Sequence, residues 1–167
     1  NQRNFISSYF PVNSKIVQFD DDIKSVNELT HYNLKNRKEN TLQTLSNLDK
    51  FIKEAFNQYK KNNSYLWGVY PVNNAYFMFP KMTNDLRFIT GPMFGIINRH
   101  SSKLKLTLDE KEDTQRTLQY FTLDKSIIRF NNITINTAYY RNKGGMQEEK
   151  KDRKKEAMKS AKYLIKK

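Results

Sequence analysis

At 167 residues, 37% of them hydrophobic and 13% aromatic, the chain has about one domain's length and enough apolar material for a core. It contains no cysteine, which excludes disulfide frameworks, thiolate metal sites and cysteine nucleophiles and leaves oxygen ligands and two histidines, His31 and His100, for any site. The formal net charge is +13, no apolar run approaches the roughly 20 residues of a membrane span, and the opening "NQRNFISSYF" lacks the pattern of a secretory leader, so a soluble, cytoplasmic chain with no membrane partner is expected.

In chain order, Ile16, Val17 and Phe19 in "KIVQF" predict a first strand, ended by Asp20, Asp21 and Asp22. In "SVNE", Ser25 and Glu28 have the capping-box spacing and predict a short helical turn. From Glu39 to Tyr59, Leu42, Leu45, Leu48, Ile52, Ala55, Phe56 and Tyr59 recur at three- and four-residue intervals, which predicts an amphipathic helix closed by "KKNNS". "YLWGVYP" and "AYFMFP" read as short aromatic strands around the turn "PVNN", and "DLRFITGPMFGIINR" as a longer strand interrupted at Gly91-Pro92. After "KLKLTL", the acidic cluster "DEKED" opens a helix carrying Leu118 and Phe121, where the helix dipole favours acids in the first turn. "SIIRFNNITINTAYY" is a further strand, and the turn "RNKGG" leads into a last, basic helix. The class is α/β, a mixed sheet with flanking helices and some antiparallel neighbours.

Three adjacent carboxylates repel one another, and drawing them even partly out of water is costly unless a cation or hydrogen bonds offset it. Mg²⁺ or Mn²⁺ would do so, since both take oxygen ligands and Mg²⁺ binds through one or two carboxylates together with substrate phosphates; a solvated turn is the plainer alternative. Trp67, Tyr70, Tyr76 and Phe77 could stack on a sugar or base, with Trp67 assigned to the core. Asn73 and Asn74 read as turn formers, Gly91 and Gly95 as a bulge or a close backbone approach, Gly144-Gly145 as a turn or a phosphate contact, and His31 and His100 as loop or surface residues. From Arg141 to Lys167, eleven Lys or Arg stand against four Asp or Glu, so this tail carries +7 of the net charge. It is either a polyanion-binding face, with Lys150, Lys151, Arg153, Lys154 and Lys155 as contacts, or a solvated helix steadied by Glu149–Arg153 and Glu156–Lys159 pairs.

The stretch "RNFISSYFPVNSKIVQFDDDI" resembles the region of GT-A glycosyltransferases in which an Arg-Asn helix leads into a strand ending in the Asp-x-Asp signature. "YLWGVYPVNNAYFM", "DLRFITGPMFGIINR", "KLTLDEKEDTQRTLQYF" and "IIRFNNITINTAYY" then follow in the order of one viral and phage branch of that fold, the branch associated with base-hydroxylating dioxygenases and similar to the glucosyltransferase that makes base J. The resemblance implies transfer of a hexose from a nucleotide sugar, a UDP-hexose first among donors, to a hydroxyl acceptor such as a hydroxymethylated DNA base, in the cytoplasm of a host cell. It implies Mn²⁺ or Mg²⁺ on Asp22 and Asp20, donor contacts from Asp20, Asp22 and Arg3, and an acceptor-activating base at Asp113 beside Glu112. Only nineteen residues precede Asp20, where the family has a whole nucleotide-binding half, so residues 1–145 are expected to be the C-terminal part of such a domain, with that half as a partner, and 146–167 a basic helix upon it. No histidine follows His100 to act as the further metal ligand of many members. Two other functions fit the same residues: a basic nucleic-acid-binding module without catalysis, and a metal-dependent nuclease built on Asp20, Asp22, Glu112 and Asp113.

Overall fold

The computed structural model describes residues 2–138 and 153–165. "KIVQF" alternates exposed and buried positions along β1 (Lys15–Phe19), whereas "LWGVY" in β4 (Leu66–Tyr70) and "MFGII" in β6 (Met93–Ile97) are buried almost throughout, as strands covered on both faces must be. With β2 (Ile23–His31), β3 (Thr41–Thr44), β5 (Met82–Thr83) and β7 (Ile128–Thr137) they make a seven-stranded sheet in the order β1-β6-β4-β7-β2-β3, with β5 on β7. The β4–β7 pair is parallel and the other pairs are antiparallel, so the sheet is mixed, as expected from the sequence.

Two apolar layers follow from the alternation. On one face Trp67, Val69, Met93, Ile128 and Phe130 pack with Ala55 and Phe56 of α2 (Leu48–Asn62). On the other, Leu66, Phe94, Ile96 and Ile127 pack with Tyr120 of α3 (Glu112–Asp124) and Ile6 of α1 (Gln2–Tyr9). A fourth helix, α4, covers Arg153–Ile165. Trp67 is core, only 2% exposed, and lies edge-on to Phe51, Phe56 and Phe130.

Four local expectations are corrected. Ser25 and Glu28 lie in β2 rather than a helical turn, because both edges of that strand are paired: Val26 faces Ile135 of β7 and Glu28 faces Gln43 of β3. The amphipathic helix starts at Leu48, where the Asn47 side chain accepts from the Lys50 amide at 2.8 Å; Leu42 lies instead in β3, opposite Leu29. Its end at Asn62, capped by left-handed Asn63, is as expected. "AYFMFP" is no strand, for Asn74 accepts from the Tyr76 amide and closes a 3₁₀ turn over Ala75–Phe77. Of "DLRFITGPMFGIINR", Met93–Ile97 alone is strand.

The aspartate triplet has an unusual task. β1 and β2 lie four places apart in the strand order, about 19 Å in a flat sheet, yet Phe19 and Ile23 are joined by four peptide steps that span at most about 14 Å. The sheet therefore curls at this end. The Asp20 amide donates to Pro92 O and the Asp22 carbonyl accepts from the Ala138 amide, both at 2.9 Å, so the triplet bridges the start of β6 to the end of β7.

Candidate functional site

Helix α1 buries no residue of its own and is held by polar clamps. Asn4 and the Leu106 backbone exchange two hydrogen bonds, Nδ2 to O at 2.7 Å and N to Oδ1 at 2.9 Å. At the other end of α1, Asn98, 1% exposed, donates to the carbonyls of Ser7, Phe10 and Pro11, and so ties the helix end to the end of β6. These bonds fix the position of Arg3.

Arg3 is the centre of the site. Its Nε donates to Glu112 at 2.6 Å, its Nη2 to Asp20 at 2.7 Å and to Gly91 O at 3.3 Å, and its Nη1 to Gln18 Oε1 at 3.0 Å. Burial by itself would lower the basicity of this guanidinium, but the bonds to Glu112 and Asp20 outweigh it and hold Arg3 above its ordinary value. The group also lies over Phe94, 5.1 Å from the ring centroid, and Phe94 sits opposite Gln18 in the β1–β6 register. One cation thus gathers the end of β1, the start of β6 and the first turn of α3.

Thr117 completes the frame by accepting from the Ile89 amide and donating to Asp113 O, which seats the first turn of α3 against the segment before β6. Asp113 is half-buried, its carboxylate accepting from the Thr114 amide at 2.7 Å. A methyl group on Gly91 would stand 3.9 Å from Arg3 Nη2 and 4.0 Å from Asp113 Cβ, so the bare glycine keeps the space between those two side chains open.

Of the expected site residues, the structure joins Arg3, Asp20 and Glu112 directly and sets Asp113 beside Gly91 next to them. Arg3, Asp20, Asp21 and Glu112 line a cleft of about 930 Å³ with Lys15, Gln18 and Asp109; Asp22 and Asp113 do not line it. Asp22 is half-buried at the end of β7, and its carboxylate has no hydrogen-bond partner among the described residues. Among the described residues no three acidic or imidazole side chains gather closely enough to cage a metal ion unaided. Tyr76 and Phe77 are exposed and lie edge to face, whereas Tyr70 is half-buried under Arg129, so the aromatic platform reduces to the first two. His31 and His100 are on the surface. Lys150, Lys151 and the Gly144-Gly145 turn lie outside the described residues; Arg153, Lys154 and Lys155 fall in the first turn of α4.

Sequence reasoning missed Gln18, Asn4, Asn98 and Arg116. Gln18 carried a signal, because strict alternation puts it on the same inward side of β1 as Ile16. No helix of the described residues is long and apolar enough to cross a membrane. Comparison of the chain with protein-family models, with curated proteins and with solved structures gave no match.

Proposed function

We propose that the chain is the C-terminal portion of a metal-dependent glycosyltransferase that moves a hexose from a nucleoside-diphosphate sugar to a hydroxyl group, with a hydroxymethylated DNA base as the acceptor. The observation that supports this most is the Arg3 bridge: residues 3, 20 and 112, remote in sequence, meet through 2.6 and 2.7 Å ion pairs at the C-terminal end of β1, where open α/β sheets place their ligands.

The donor set suits a hard divalent cation. Asp22 has a carboxylate with no protein partner among the described residues, Asp21 is exposed, and Asp20 keeps Oδ2 while Oδ1 serves Arg3. Asp22, with Asp20, would hold the ion, which when bound neutralises charge on the leaving diphosphate. Arg3 holds the Asp20 carboxylate in place, and Glu112 orients Arg3 from the other side. Asp113 takes the proton from the acceptor oxygen; a carboxylate in a half-buried position with one amide donor has the acceptor capacity to do so. Tyr76 and Phe77 offer faces on which the acceptor can stack.

The test is calorimetric. Titrating UDP in the presence of Mn²⁺ should show saturable binding to the intact chain that disappears without metal and weakens at least tenfold in Asp22→Asn. Equal affinity in the variant removes Asp22 from the site. Absence of any metal-dependent nucleotide binding, together with DNA binding indifferent to both, would replace the transferase by a non-catalytic nucleic-acid-binding module.

A further inference from the structure

Away from the carboxylates, a second cavity of about 580 Å³ lies between α1, β6 and α3 and shares only Arg3 and Gln18 with the first. Its wall includes Arg116, which is 3% exposed and stacks 3.5 Å above the Phe94 ring centroid. Arg116 forms no ion pair among the described residues; its Nη2 reaches Ile89 O at 3.5 Å, and its Nε and Nη1 are buried without any partner. Arg99, on the same wall, spends both Nη groups on Asp124 at 2.7 and 3.0 Å and likewise leaves its Nε buried and unpartnered. Burial brings Arg116 down to about 10, and Arg3 nearby pushes in the same direction, so the group is still charged at neutral pH.

Asp113 and Glu112 offset part of that effect from a distance, without a direct ion pair; a buried charge with no ion-pair partner is still costly, and each unmet N–H adds to that cost. Three guanidinium nitrogens in this state, with four N–H between them, belong to residues that line one cavity and are donors for an acceptor that arrives from outside. The remaining wall is mixed, with Phe94, Ile96, Leu104 and Leu106 on its apolar part and four serines, His100 and Lys105 on its polar part, and the volume is that of a small-molecule pocket. We propose that this cavity binds a small organic anion, with its carboxylate or phosphate head on Arg116 and its apolar body against Phe94 and the leucines. The site is independent of the proposed sugar transfer, and its test contains no donor, acceptor or metal.

Benzoate, its neutral isostere benzamide, and inorganic phosphate serve as probes of protein labelled with ¹⁵N at arginine. Benzoate is expected to shift the Arg116 Nε–Hε resonance saturably and to raise the melting temperature, while benzamide does neither; a response to phosphate as well assigns the head group to a phosphate-bearing class. Arg116→Met should weaken benzoate binding at least tenfold. Leu104→Trp, which fills the cavity and leaves the arginines in place, should do the same and tests the cavity separately from the charge. No movement of the Arg116 resonance by benzoate or phosphate up to about 10 mM, or benzoate binding that survives both substitutions, overturns the proposal.

Discussion

Arg3 and Arg116 lie in opposite circumstances, which predict opposite mutational outcomes. Arg3 has each of its three guanidinium nitrogens engaged and separates Asp20 from Glu112 in a partly buried setting, with side-chain exposures of 16%, 35% and 22%. Arg3→Met would leave two carboxylates facing one another without a cation. A loss of about 2 kcal/mol is expected from urea unfolding, below the figure for a fully buried pair because Asp20 is still in reach of water. Recovery of part of that loss in the double variant Arg3→Met/Asp20→Asn would tie the effect to charge rather than packing. Arg116 is the reverse case. Its folded value of about 10 lies well below the ordinary guanidinium range, so the folded state disfavours the charged form and the charge detracts from stability at pH 7, where it is present in both states. The shift corresponds to about 3 kcal/mol, and the stack on Phe94 returns about 1 to 2, so Arg116→Met should be more stable than the parent by about 1 to 2 kcal/mol. Above about pH 10 the unfolded chain still holds the proton that the folded chain releases, so the stability gap should narrow there. A variant less stable than the parent at pH 7 would show that the guanidinium is compensated in solution.

At the scale of elements, the two core faces are set by alternation, and glycines mark where one strand's side chain fills the room of another's. Gly95 of β6 faces Trp67 of β4 in register, and a Cβ at Gly95 would lie 2.2 Å from the indole Nε1 and Cε2. Trp67 cannot withdraw, because Phe51, Phe56 and Phe130 surround it edge-on. Gly95→Ala should therefore cost about 3 kcal/mol through overpacking, read as a fall in thermal midpoint, whereas Gly91→Ala, whose Cβ meets ordinary contact distances, should be within about 0.5 kcal/mol of the parent. The elements legible in the sequence were those whose signal is local: "KIVQF", "YLWGV" and "SIIRFNNITINT" carry dense β-branched and aromatic runs, and the span from Leu48 to Tyr59 keeps a helical period to a clear stop at Asn63. Misread were β2 and β3. Ser25 and Glu28 satisfy a helix-start pattern, and Leu42 and Leu45 extend the helical period by coincidence, but pairing of β2 on both edges supplies backbone hydrogen bonds that no local pattern announces.

For the whole molecule, what could be read of the site follows the same division. The acids of the triplet and of α3 were visible as clusters, whereas the bridge that joins them depends on Arg3 being carried to the sheet by α1, through bonds from Asn4 and Asn98 that span about ninety residues or more. Long-range closure of this kind has no signature in spacing. Net charge is the one property of the whole chain that the sequence states outright, and it bears on the proposed acceptor. Of the +13, +7 lies beyond residue 140, so a polyanion meeting this protein should engage the tail first. Each phosphate neutralised by a lysine or arginine releases condensed counterions, which makes the logarithm of affinity fall with the logarithm of salt by about 0.9 per contact on duplex DNA. Changing Lys150, Lys151, Lys154 and Lys155 to Gln should therefore reduce the magnitude of that slope by about 3 to 4 if all four make contact. It should do so equally for any duplex sequence, because phosphate contacts set position without reading bases. Binding of a fluorescent duplex at 50 and 200 mM salt, for the parent and the fourfold variant, gives both slopes. Unchanged slope and affinity in the variant would move the acceptor surface off the tail, and absence of duplex binding by the parent at the lower salt would turn the search to protein or glycan hydroxyls.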